Sequence, residues 1–342
     1  MAAKEAIDYK DRGTHPIDYM MEGKPPLQER VTMQQRIEYD HTAKMDAEWK
    51  SVAEAHEAYL RAFAGQSEHV VTAESPLYPI LKKHLVTQNE VMELGCIDER
   101  CPHQGLGKHI GLGGAGILVP EAMRPQYVSY LVDVALRREV KTIKVDAHEG
   151  CGAAKLFLKS QGIENPTDEQ VNQAAHQFAE TLADDLRKEL ERRQIPAEQV
   201  TVESGFLSFD EMDGPADFHN AVGAMVATTG WIDPTREKGH QGADLPPMFN
   251  VNGIFDIDHA VANVSVALGI VFGSHGFGVT RYSTERPFVI TIKLNNADQA
   301  SVERTNALRE KIDALVKTLP QEQQERVVVN VLDVTQMIAE VQ

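Results

Sequence analysis

Two short apolar runs with a helix-length segment between them constrain this chain most. Val91-Met92-Glu93-Leu94-Gly95-Cys96 and Val140–Ala147 each read as a buried strand. Pro120–Arg138 lies between them with helical texture, and Pro125 must fall in its first turns or interrupt it. Ala153–Ser160 reads as a further helix after the second run. Strand, helix, strand, helix specifies a parallel sheet with crossover helices. In such sheets ligands gather at the carboxyl ends of the strands.

Both runs end in residues that carry chemistry. The first leads into Cys96-Ile97-Asp98-Glu99-Arg100, the second into His148-Glu149-Gly150-Cys151-Gly152. Thiolate and imidazole are the preferred ligands of zinc, and a catalytic zinc keeps three protein ligands and one open position. Cys96, His148 and Cys151 supply that set from two strand ends. Two thiolates cancel the charge of the ion, so the site needs a nearby acceptor for the proton or hydrogen bond of a bound water. Asp98 is placed for this. A free carboxylate there would bind the metal itself, and a bidentate clamp from Arg100 would hold it ionised and turned away.

The paired motif Cys96-x-Asp98-x-Arg100 and His148-x-x-Cys151-Gly resembles the zinc signature of the beta-class carbonic anhydrases. The resemblance covers about residues 76–231. It implies zinc on Cys96, His148 and Cys151, Asp98 and Arg100 as the catalytic dyad, and hydration of carbon dioxide to bicarbonate by zinc-bound hydroxide. It also implies a parallel-sheet α/β core whose active sites form at a homodimer interface. The family's Arg-Asn-Ala-Gly pattern is replaced here by Gly113-Gly114-Ala115-Gly116. Similar enzymes act on carbon disulfide or carbonyl sulfide, and that alternative stays open beside a non-catalytic, zinc-stabilised binding module.

The remaining sequence fits around this core. Residues 1–75 read as an arm, polar over 1–30, followed by a mostly helical stretch over 33–64. A short helix is expected over Leu77–Leu85. Residues 167–193 form the clearest helix: Thr167 and Gln170 make a capping box, and apolar residues recur at three and four. Strands are expected at Val200–Phe209, Ala224–Trp231, Val266–Val271, Phe288–Leu294 and Val327–Leu332, with a helix at 301–317. Residues 232–342 are an additional α/β region, and 232–250, rich in Pro and Gly, reads as a boundary or lid. No repeat of 20–50 residues is visible.

Other signals are weaker. Gly111-x-Gly113-x-x-Gly116 matches the dinucleotide fingerprint in letters, but His103–Ile110 is a poor strand and Ile117–Val119 looks extended, so nucleotide binding is not expected. Cys101 is expected to pack as a small apolar residue. His109 and His275 are candidate proton shuttles. Asp256, Asp258 and His259 read as a solvated turn. Lysine and arginine total 34 against 51 acids, a formal charge of −17, which disfavours nucleic acid and anionic membranes as partners. The first residues lack the apolar core of a signal peptide, and no run of about 18 uncharged apolar residues occurs. A cytoplasmic location is expected, with its three cysteines reduced.

Overall fold

The computed structural model describes residues 56–57, 59–61, 68–85, 90–98, 100–101, 109–114, 116–212, 221–227, 247–253, 255–273 and 282–341. All of them belong to one compact unit, 48–342. The expected arm over 1–30 lies outside the described residues, as does most of the helix expected over 33–64. Within the latter, 56–57 and 59–61 are helical.

The fold is α/β, and every strand pairing is parallel. The first sheet contains β2 (Val91–Leu94), β3 (His109–Gly111), β4 (Thr142–His148) and β5 (Thr201–Leu207), in the order β3-β2-β4-β5. Helix α2 (Arg124–Arg137) connects β3 to β4. Helices α3 (Gly152–Ser160) and α4 (Asp168–Arg192) connect β4 to β5. Pro125 sits in the first turn of α2, where its missing N–H costs nothing. Thr167 accepts from the Gln170 backbone and Gln170 reaches back, so the expected capping box is formed. The apolar face of α4 buries Val171, Ala175, Ala179, Leu182, Leu186 and Leu190 against the sheet and α2.

The second sheet contains β1 (Glu68–Val70), β6 (Gly223–Ala227), β7 (Met248–Asn252), β8 (Phe288–Leu294) and β9 (Val327–Asp333), in the order β1-β9-β8-β6-β7. Its helices are α5 (Ile257–Val271), α6 (Gln299–Val316) and the short α7 (Gln321–Gln324). Helix α8 (Thr335–Val341) ends the described chain. Helix α1 (Tyr78–Lys83) brings Leu81 into a core with Tyr59, Val289, Leu332 and Met337 of this second half.

Several expectations are corrected. Val266–Val271 is not a strand but the last turns of α5, since Asp256 caps a 15-residue helix and its side chain accepts from the His259 N–H. The solvated turn expected at Asp256–His259 is therefore a helix start. Ile117–Val119 is not extended: Gly116–Leu118 is a 3-10 turn. The stretch expected to be a poor strand ends in β3. Residues 248–250, expected within a boundary loop, are the fully buried start of β7. The strand expected at 224–231 is β6 over its described part, and it pairs into the second sheet, away from the core that the sequence reading gave it.

In the first sheet the connection after β2 runs to one side and the strand after α2 lands on the other. The order therefore reverses between β2 and β4. The carboxyl ends of those two strands border the crevice where α/β sheets bind ligands. Leu94 and Val145 lie opposite each other at that end of the ladder.

Candidate metal centre

Cys96 lies two residues beyond β2, His148 is the last residue of β4, and Cys151 caps α3. Their ligand atoms all lie within 4.8 Å of one another. Cys96 Sγ and Cys151 Sγ are 3.9 Å apart. Two thiolates on one tetrahedral zinc with Zn–S bonds of ≈ 2.3 Å stand about 3.8 Å apart, so the two thiols are spaced as such an ion would hold them. This group can hold a metal.

The surroundings orient each ligand. His148 is buried, and its Nδ1–H donates to the Glu149 carbonyl at 2.9 Å. That fixes the ring and turns Nε2 toward the thiols, as in metal sites generally. Nε2 is buried without a hydrogen bond of its own, a cost that a metal would remove. Gly150 has φ +67°, and a Cβ there would meet the Phe209 ring at 2.7 Å, so only glycine fits the turn between His148 and Cys151. The turn is pinned on three sides. Glu149 N–H donates to the Leu207 carbonyl, Gly150 N–H to Asn172 Oδ1, and Phe209 N–H to Glu149 Oε2.

The cluster also stores protons unevenly. The Cys96 thiol donates to Cys151, which holds Cys96 protonated far above the usual thiol range, and burial adds to this. The same hydrogen bond, the nearby His148 and the Ala154 N–H of α3 hold Cys151 well below that range. Burial is the largest single influence on His148 and pulls it down, but the neighbouring Cys151 and the Asp98 charge together outweigh it and lift the imidazole to about 9. These shifts favour one thiolate with two protonated neighbours, and a divalent cation held by the three residues would displace those protons.

Asp98 and Arg100 form the second part of the site. Arg100 Nε donates to Asp98 Oδ1 at 2.9 Å and Nη2 to Oδ2 at 2.7 Å. The Arg100 backbone N–H adds a third bond to Oδ1 at 3.0 Å. Both side chains are buried. Asp98 Oδ2 stands 3.9 Å from His148 Nε2, beside the ligand cluster. The arrangement anticipated from the sequence, a carboxylate locked in a bidentate fork next to the ligands, is present.

A cavity of about 40 Å³ adjoins the cluster, lined by Cys96, His148, Cys151, Leu94, Ile117 and Phe178 among others. That is room for about three molecules the size of water. Cys101 is buried, and it is not one of the three residues whose ligand atoms cluster. Residues 103 and 275 lie outside the described residues, as does the side chain of His109. The glycine run 111–116 does not open a helix, because α2 begins only at Arg124. Among the described residues no helix is long and apolar enough to cross a membrane.

Sequence reasoning missed Asn250. Its backbone N–H donates to the Ile97 carbonyl, between Cys96 and Asp98, at 3.1 Å. Its side chain is 3% exposed, and neither amide atom has a hydrogen bond. Gly113 faces it so closely that a Cβ would lie 2.5 Å from the Asn250 carbonyl oxygen. A loop reading of 232–250 hid this strand. The signal was present in the alternating Phe249-Asn250-Val251-Asn252.

No family model, curated protein or solved structure matches the chain.

Proposed function

We propose that this chain is a zinc lyase of the carbonic anhydrase type, which interconverts carbon dioxide and bicarbonate. The observation that carries the reading is the Cys96–His148–Cys151 cluster with the Arg100-locked Asp98 at its side. Two thiolates and an imidazole suit zinc better than the oxygen-seeking cations. Bound there, zinc supplies the Lewis acidity that makes water a nucleophile near neutral pH.

The chain's own groups do the rest. Asp98 offers an acceptor that orients the attacking oxygen. Arg100 keeps both carboxylate oxygens engaged, so that Asp98 stays ionised and off the ligand cluster. The Glu149 carbonyl holds His148 in one orientation. The cavity wall of Leu94, Ile117 and Phe178 suits a small uncharged substrate. Carbon disulfide and carbonyl sulfide have the same shape and polarity, and they remain the alternative substrates.

Zinc content measured together with carbon dioxide hydration by the purified chain tests the reading. Stoichiometric zinc with hydration supports it. Sulfide release without hydration would move the activity to the sulfur substrates. Zinc without either activity would leave a structural metal.

A further inference from the structure

The second sheet repeats the first. Taken in chain order, β2, β3, β4 and β5 lie second-first-third-fourth, and so do β6, β7, β8 and β9. Both sets are wholly parallel, and in both a helix joins the second strand to the third. The sequence carries traces of the same duplication. Thr142-Ile143-Lys144-Val145 opens β4, and Thr291-Ile292-Lys293-Leu294 closes β8. Val132-Asp133-Val134-Ala135-Leu136 in α2 answers Val264-Ser265-Val266-Ala267-Leu268 in α5, and the first valine and the alanine are buried in both. Gly95-Cys96-Ile97-Asp98 answers Gly230-Trp231-Ile232-Asp233.

The ligand positions differ between the two copies. Counting from the shared Thr-Ile-Lys, His148 corresponds to Ala297 and Cys151 to Ala300. The Cys96 position falls on Trp231 by motif, and on Gly230 by ladder register, since Thr142 faces Val91 and Thr291 faces Met225. None of these offers a metal donor.

The two copies meet through corresponding parts. Gly113 and Gly114, just past β3, pack on Asn250 and Asn252 of β7, its counterpart. Tyr127 and Tyr130 in the first turns of α2 pack on Phe255, just before α5, with ring centroids 4.9 and 5.6 Å apart. Phe255 thereby joins the core of the metal-bearing half. An interface built from the same patch on both sides is what a two-fold dimer uses. β7 is an edge strand, and its outward Asn250 N–H is taken up by the Ile97 carbonyl. The second half therefore anchors the peptide between the ligand Cys96 and the dyad residue Asp98.

We propose that residues 223–333 are an internal copy of the half that carries the cluster, without metal donors at the three matching positions, and that this copy completes the metal site within one chain as a second subunit would. The proposal rests on the metal reading for its main readout. It makes the site independent of any second chain, and it sets the metal content at one per chain.

The test uses the full chain and zinc alone. Wild-type protein should bind one zinc, with an affinity unchanged over about a hundredfold dilution, because nothing dissociates. Phe255→Asp puts a carboxylate between the two tyrosines and leaves every ligand in place. It should weaken zinc by about tenfold, within the ordinary range of coupling between sites, and split the calorimetric transition in two. Gly113→Ala should weaken zinc in the same direction, while Gly269→Ala, which meets open space, should not. Two zinc ions per chain, or an affinity that falls on dilution, would overturn the proposal. So would Phe255→Asp and Gly113→Ala proteins with wild-type zinc affinity and a single transition. A wild-type chain that takes up no zinc at any dilution sinks the metal reading and site completion with it; the split transition then decides whether the two halves are coupled.

Discussion

The ends of β4 and β8 make an instructive pair. Both strands contain Thr-Ile-Lys followed by a branched aliphatic, and both are central in their sheets. Beyond that point β4 runs into Asp146, His148 and Cys151, whereas β8 runs into Asn295, Asn296, Ala297 and Ala300. The first strand end assembles a donor cluster beside a buried carboxylate–guanidinium pair. The second places Asn295 in the interior, with Lys293 buried in the strand itself. The two strand ends thus differ in kind: one carries a cluster that could hold a metal, and the matching positions of the other carry no donor. The chemistry resides in a few residues past the strand ends, not in the fold.

The sharpest way to break this contrast is to remove a donor. Cys96→Ser, His148→Ala and Cys151→Ser each delete one of the three proposed ligands and should abolish stoichiometric zinc, read by metal analysis after dialysis. Ala297→Ser, at the position that matches His148, should keep it. Any one of the three ligand variants retaining zinc at wild-type affinity removes that residue from the ligand set.

The dyad comes next. Arg100→Ala should retain zinc but lose hydration activity by about a hundredfold or more, the scale of losing one preorganised electrostatic contact. Asp98, released from its fork, would be free to turn toward the ligand cluster and occupy the open position of a bound metal. Lysine at position 100 should rescue poorly, because a point charge does not engage two coplanar oxygens. An Arg100→Ala protein that hydrates carbon dioxide at the wild-type rate would dismiss the role given to the pair.

A third test separates the halves by pH. His56 lies beside Arg286 and Pro287 of the second half, where burial holds its pKa down at about 4. Its folded value is below its unfolded value of 6.5, so the unfolded chain takes up the proton first. Stability is unaffected above pH 6.5 and falls between 6.5 and 4, by on the order of 3 kcal/mol. His56→Gln should flatten that slope in denaturant titrations while zinc affinity at neutral pH stays unchanged. A slope identical to wild type would assign the loss to other groups.

The smallest expected effects are single hydrogen bonds, one in each half. Tyr59 bonds Thr291 in the second core at 2.9 Å, and Tyr59→Phe leaves that hydroxyl without its partner, at a cost of about 1–2 kcal/mol. Thr167→Ala in the first half removes the cap of α4, at about 1 kcal/mol. Neither should alter zinc content. If Tyr59→Phe weakens zinc, coupling between the halves reaches further than the Asn250 and Phe255 contacts.

Much of the half that carries the Cys-His-Cys cluster was legible in the sequence, for local reasons. Short apolar runs fix β2 and β4, Thr167 with Gln170 fixes the start of α4, and the periodic apolar face carries that helix to its end. Cys96, Asp98, Arg100, His148 and Cys151 lie within a few residues of two strand ends, so a parallel sheet brings them together without detailed knowledge of its packing. Helix α5 was misread because Val266–Val271 is uniformly apolar, and such a run fits a buried helix and a buried strand equally well. β3 was hidden because it has only three residues and ends in glycine.

Sequence alone therefore pointed to the Cys96–His148–Cys151 cluster, the Asp98–Arg100 pair and the parallel α/β class, since each follows from residue type and short spacing. The tertiary structure alone decided which half each strand joins, that β6 and β7 build a second sheet, and that Asn250 meets Ile97 across 153 positions of chain. Those pairings depend on long-range register and on the close approach that a bare Gly113 permits. Neither leaves a periodic mark in the neighbouring residues.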